Sequence, residues 1–207
     1  MNLGIVLVLI TALGYASNWL NWKFLNYRIT HLLYYVGALV HETSHAVLCL
    51  LTRAPIHEYV VFSTQPHVTS GPSRIPVVGS ILINIAPIIG GLGFLFLVDH
   101  YLFASYFVVP AFTGWQDIAN GALALLSQLR PWQWQSWVMI LLFLNVGAMI
   151  GPSTQDLKNI WIPIILLFFV DFPPLADLGF LAVALIVVNI AIQLLLIAVI
   201  KTAQAVF

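Results

Sequence analysis

The chain predicts an all-α membrane protein with about six transmembrane helices and a short β-hairpin between the second and third. Three observations predict it. Hydrophobic residues make up 61% of the 207 residues and charged residues only 7%, against about 25% charged in soluble proteins. So few charges cannot cover a water-facing globule, and most of the surface must meet lipid. The charges also separate uncharged apolar runs, most of them near the ~20 residues that a bilayer core requires. Between the second and third runs lies one polar stretch rich in β-branched and aromatic residues. The length suits a single integral membrane domain, residues 1–207.

The remaining composition narrows the function classes. Seven basic and seven acidic residues cancel, which offers no patch for nucleic acid. The single cysteine, Cys49, excludes an intrachain disulfide and a cysteine-rich zinc module. A soluble enzyme, a disulfide scaffold and a disordered protein are all excluded.

The first span runs from Leu3 to Trp22. Gly14-Tyr15-Ala16 has the look of a signal cleavage site, but no basic residue precedes Lys23, so the segment reads as a retained span. The second span is Ile29 to Thr52, the third Ile75 to Val98, and the fourth Trp132 to Ile150. A shorter fifth is read from Asp156 to Val170, and a sixth from Leu178 to Ile200. Tyr101–Phe112 and Trp115–Gln128 read as interfacial or re-entrant, because Pro110, Gly114, Asp117 and Gly121 interrupt any full span. In the hairpin, Tyr59 to Thr64 is the outgoing strand, Gln65-Pro66-His67 turns, and Val68-Thr69-Ser70 returns. No internal repeat is visible, which counts against an inverted-repeat transporter.

With the N-terminus on side A, six spans put Arg53, Arg74, Lys158 and Lys201 on side A and Lys23, Arg28 and Arg130 on side B. The excess of one favours side A as cytoplasmic.

The chemistry is concentrated in His41-Glu42-Thr43-Ser44-His45, an H-E-x-x-H pattern inside the second span. Residues four apart share a helix face, so both imidazoles can reach one metal ion. Glu42 sits about 100° around the helix and reaches a water beside the metal rather than the metal itself. Chance would produce the pattern about twice per thousand such chains, which makes it specific. Three ionisable groups within one turn of a membrane helix are costly unless paired or coordinated. Zinc suits two neutral imidazoles in the absence of a thiolate set. The competing reading is a polar cluster that lines a cavity or relays protons.

A catalytic zinc takes three protein ligands and keeps one position for water. His45 lies eight residues before Arg53, about 12 Å below the side A end of its helix. The third ligand must come from that leaflet. Asp99, Asp117, Asp171 and Asp177 fall on side B, whereas Asp156 returns on side A behind the close-packing pair Gly147 and Gly151. His67 and His57 compete for the role as loop histidines, and Cys49 shares the helix face of His45 as a buried small residue. Asn84, in Asn84-Ile85-Ala86-Pro87, is a buried amide that suits either helix–helix bonding or a substrate oxyanion.

These residues resemble the site-2 protease family of intramembrane zinc metalloproteases. The resemblance rests on the motif within a membrane helix, a later helix supplying Asp156, the hairpin after the motif, and Asn84-x-x-Pro87. It covers a core of about residues 29–171. The family's second motif is usually an Asp-Gly pair after an aliphatic residue, often with Asn-Pro upstream; Gln155-Asp156-Leu157 has neither. A minimal, divergent member is implied.

The resemblance implies one zinc per chain, held by His41, His45 and Asp156. It also implies hydrolysis of peptide bonds in or near the membrane segments of a transmembrane protein substrate within the lipid bilayer. Glu42 would be the general base. Asn84 would assist the oxyanion, and Tyr59, Val60, Val61 and Phe62 would hold an unwound substrate by edge pairing. No residue pattern sets an oligomeric state. Two other classes are a catalytically silent homologue that binds membrane proteins and a metal or proton transporter. Intact Glu42 counts against the first. The absence of ionisable residues along the third, fourth and sixth spans counts against the second.

Overall fold

The computed structural model describes residues 2–24, 27–63, 65–112, 114–151, 153, 156, 161, 164–169 and 173–206. It is mostly helical, with a single two-stranded antiparallel hairpin among the described residues. Helices α1 (Leu3–Phe24) and α2 (Tyr27–Leu51) are followed by strands β1 (Ile56–Val60) and β2 (His67–Ser70). Then come α3 (Val78–Asn84), α4 (Ala86–Leu102), α5 (Asp117–Ser127) and α6 (Trp134–Leu142). A π turn, Phe143–Gly147, continues α6, and α7 (Pro173–Val206) closes the described chain.

Two helices, Leu3–Phe24 and Leu175–Gln204, are long and apolar enough to cross a membrane. A third qualifies if α3 and α4, bent by 54°, are taken as one span. Helix α2 has the length, at 25 residues, but His41, Glu42 and His45 interrupt its apolar run. The apolar helix Trp134–Gly147 is shorter. Six spanning helices are therefore not seen among the described residues.

The third expected span is broken because Pro87 opens α4. Proline has no N–H to donate to the i−4 carbonyl, here that of Ile83, and its ring crowds that carbonyl. Ile85 takes the break, at φ −96° and ψ 2°.

Helix directions follow from who touches whom. Tyr34 of α2 hydrogen-bonds Asn18 and Asn21 of α1, so α2 runs back along α1. Phe103, just past α4, meets Trp134 at the start of α6 with ring centroids 5.3 Å apart. Gly91 of α4 faces Val146 and Ile150 at the other end. Residues 103–133 therefore leave and return at one end. Helix α5 has 11 residues, about 16 Å, too short to span a ~30 Å core.

The last helix corrects the expected topology. Gly179 of α7 meets Val6 of α1, the Ser17 hydroxyl contacts Asn189 and Gln193, and Lys201 lies 4.7 Å from the Phe24 ring. Helices α1 and α7 are parallel. The fifth span, Asp156 to Val170, falls largely outside the described residues, but its far part is placed. The Phe168 ring packs on Gly4, and its carbonyl accepts from Asn2. Position 168 thus lies at the Leu3 end of α1, so the segment does not carry the chain to the Phe24 end. Lys201 moves with this correction, from the Leu3 end to the Phe24 end beside Lys23.

In lipid, helices associate through close packing and hydrogen bonds rather than by escaping water. Glycines mark the contacts. Gly14 and Gly151 face each other across α1, and Gly90 receives Ser44 of α2. A Cβ at Gly37 would lie 2.1 Å from the Asn145 carbonyl oxygen, which is backbone and has no rotamer to escape into. Gly37→Ala is expected to destabilise the fold by about 1–3 kcal/mol, the usual cost of overpacking. The check is the thermal unfolding midpoint in detergent; an unchanged midpoint would mean that α2 does not rest on the π turn.

The hairpin forms, but with shifted bounds. Val60 pairs with His67, Tyr59 with Val68 and Glu58 with Thr69, with an irregularity between Ile56 and Glu58. Val61 and Phe62, expected in the outgoing strand, lie beyond it. The next rung would place Val61 opposite Pro66, which has no N–H to donate to the ladder.

Candidate metal centre

Helix periodicity does what the motif's spacing requires. His41, Glu42 and His45 are all buried in α2, and the two imidazole centroids stand 4.9 Å apart. Their Nε2 atoms are 3.3 Å from each other. Gly37, one turn before His41, lets the π turn press on α2, which brings the following residues alongside the motif. The Met149 carbonyl accepts from His41 Nδ1 at 2.7 Å. That bond places a proton on Nδ1, so in the neutral ring Nε2 faces inward with its lone pair free for a metal.

Asp156 arrives from the same segment. Its carboxylate accepts from the Ser153 N–H at 2.8 Å, and its own N–H donates to Ser153 Oγ at 3.2 Å. The reciprocal pair locks the turn in the manner of a capping box. One carboxylate oxygen lies 3.3 Å from His41 Nε2, and the other 3.3 Å from His45 Nε2. The three residues form the group that could hold a metal ion, with one ligand atom each, all within 4.8 Å of one another.

The donor chemistry decides what belongs between them. A neutral His41 aims a lone pair at a carboxylate oxygen, an arrangement that repels unless a proton or a metal ion lies between them. Two ligand atoms about 2.1 Å from a tetrahedral ion stand about 3.4 Å apart. The two imidazole nitrogens, 3.3 Å apart, fit that spacing, and each has a different Asp156 oxygen at the same distance.

Glu42 faces a polar cavity of about 180 Å³ lined also by His41, His45, Cys49, Asn84, Ser153 and Asp156. Its carboxylate has no hydrogen-bond or ion-pair partner among the described residues, which leaves it open to the cavity. Asn84, at the last turn of α3 before the Pro87 break, lines the same space, and its amide likewise has no hydrogen-bond partner among the described residues. The helix break thus turns an amide expected to serve helix packing toward the cavity.

The hairpin supplies the remaining wall through Pro66, His67, Val68 and Ser70. Tyr59 is tied to the motif by a 2.8 Å hydrogen bond between its hydroxyl and Thr43 Oγ1, and Phe62 stacks near Tyr35 at 5.5 Å. Val60 completes the strand, and Val61 is buried. His67 stays outside the metal-like group, although it lines the cavity. Its ring lies 3.0 Å from the Gln65 carbonyl and 3.3 Å from Glu58. The Gln65 carbonyl and then the Glu58 carboxylate hold His67 above the ordinary histidine range. His57 is exposed on β1 and is not part of the group.

Two contributors escaped the sequence reading. Ser153-x-x-Asp156 is a visible capping pattern. The Met149 carbonyl is backbone and leaves no sequence signal. No family model, curated protein or solved structure matches the chain.

Proposed function

We propose that the chain is an intramembrane zinc metalloprotease resembling the site-2 protease family, acting on the membrane segments of transmembrane proteins. One observation carries the reading: His41, His45 and Asp156 converge around a cavity that Glu42, with no hydrogen-bond partner among the described residues, also faces, within an apolar helical protein. Zinc suits two imidazoles and one carboxylate with a fourth position left for water. When bound, it supplies Lewis acidity and eases deprotonation of water.

The chain's own residues perform the rest. Glu42 takes a proton from the attacking water and returns it to the leaving amine. The Asn84 amide donates to the scissile carbonyl oxygen as charge develops on it. A helical substrate hides its carbonyls in internal hydrogen bonds, so it must unwind before attack. Tyr59 and Val60, on the strand tied to Thr43, offer backbone to the unwound segment.

In this reading five passes cross the bilayer: α1, α2, the bent α3–α4 pair, α6 and α7. With Lys201 at the Phe24 end, the basic positions among the described residues count four there (23, 28, 130 and 201) and two at the Leu3 end (53 and 74), reversing the earlier balance. The Phe24 end is then the cytoplasmic one, and the metal centre lies in the other leaflet.

The test uses purified protein in detergent or liposomes with a labelled transmembrane peptide. Cleavage is expected, with loss on chelation and recovery on adding zinc. Cleavage undiminished after complete metal removal would overturn the reading, as would zinc-loaded protein that cleaves no transmembrane peptide.

A further inference from the structure

A second cluster of buried polar groups lies on the far side of the π turn from the metal-like group. Ser17 and Asn21 on α1 and Asn189 and Gln193 on α7 are all completely buried. Such side chains are costly at membrane depth unless they satisfy one another or the backbone. Gln193 Nε2 donates to Ser17 Oγ at 2.8 Å.

Asn189 does more than bridge two helices. Its surroundings fix the orientation of its amide. The oxygen accepts from Ser17 Oγ at 2.8 Å, from the Ala148 N–H at 3.2 Å and from Gln193 Nε2 at 3.2 Å, and the nitrogen donates to the Phe143 carbonyl at 3.2 Å. Those two backbone groups bracket the π turn, Phe143–Gly147. A π turn shifts the hydrogen-bond register and disturbs the regular pairing of carbonyls around it. In lipid a carbonyl left over has no water to turn to.

The turn is held between two helices. On one side Gly37 of α2 meets the Asn145 carbonyl; on the other, a Cβ at Gly147 would lie 3.2 Å from Asn189 Cβ. The backbone leaving the turn is Ala148-Met149, and the Met149 carbonyl takes the His41 Nδ1–H. One residue therefore separates the backbone that Asn189 holds from the carbonyl that orients a metal-facing imidazole.

We propose that Asn189 is a positioning residue for the metal centre, holding through the π turn the carbonyl that orients His41. This rests on the metal-centre reading above but not on proteolysis. Asn189 touches no substrate and no metal ligand; it acts through Ala148 and Met149. Gln193 supplies the comparison, since it bonds Ser17 and the Asn189 oxygen but neither of the turn's backbone groups that Asn189 holds.

The experiment measures affinity for Zn²⁺ by competition with a chromophoric chelator, and the visible spectrum of the Co²⁺-loaded protein, which reports ligand geometry. Parent, Asn189→Leu and Gln193→Leu are compared in detergent. Asn189→Leu is expected to lose about tenfold in affinity, at the low end of the 10–100-fold typical of outer-shell partners, and to shift the cobalt bands. Gln193→Leu, which leaves both bonds from Asn189 to the turn in place, is expected to lose less affinity and to shift the bands less than Asn189→Leu. Gly147→Ala, which crowds Asn189 from the turn side, is expected to weaken binding too and serves if Asn189→Leu does not fold. Unchanged affinity and spectrum in Asn189→Leu or Gly147→Ala would overturn the proposal. Equal losses in Asn189→Leu and Gln193→Leu would also overturn it, since that marks general packing. A parent that binds no metal would remove the metal reading and this inference with it.

Discussion

Replacing His41 or His45 with alanine is expected to abolish metal binding, and Asp156→Ala to weaken it by more than about 100-fold, beyond what outer-shell changes cost. The expectation follows from the donor set. Each of the three side chains contributes an atom within 4.8 Å of the other two, and no other cluster of this kind occurs among the described residues. His67 is not positioned to substitute, since its ring is engaged by Glu58 and the Gln65 carbonyl. Elemental analysis of protein purified without chelator, together with competition titration, gives the measurement. Full zinc occupancy in His41→Ala would refute the site. Undiminished affinity in Asp156→Ala would remove the carboxylate from it and leave the two histidines with water.

Glu42→Gln separates binding from chemistry. The amide is nearly isosteric and keeps the buried volume, but it cannot accept a proton. Zinc content is expected to stay at the parent level, whereas peptide cleavage falls by about 10²–10⁴-fold, the usual worth of a positioned general base. The expectation draws on the open state of the Glu42 carboxylate, which has no partner among the described residues to divert it from the cavity. Parent-level proteolysis by a zinc-loaded Glu42→Gln protein would rule out the mechanism.

The motif helix was legible because two histidines four apart need only helical periodicity to converge. Asp156 was legible for a different reason. Locating it needed only the number of passes before residue 156, and residues 103–133 do return to the end from which they leave. The error lay after it. An apolar run near Val170 reads as a span by composition, yet Phe168 packs against Gly4, and composition cannot tell a crossing from a return. The π turn and the Met149 carbonyl had no signal because both are properties of backbone register. The strand boundary did have one. Pro66 cannot donate to a ladder, and the β-branched run beyond Val60 outweighed that clue in the reading.

The parallel seam of α1 and α7 also bears on the order in which the molecule assembles. Ser17 and Asn189 are separated by 172 positions, so the bond that braces Asn189 against α1 joins the first described helix to the last. During synthesis α2 and the segment carrying Asp156 emerge, with all three residues of the candidate metal site, before α7 exists. Loop-closing contacts of such separation form late, and domains complete themselves only as their last element docks. Until then the Phe143 carbonyl lacks the Asn189 amide, and the segment carrying Met149 and Asp156 lacks its backing. The nascent chain would thus hold the three residues of the candidate metal site in unfinished form, and docking of the final helix would double as a maturation step.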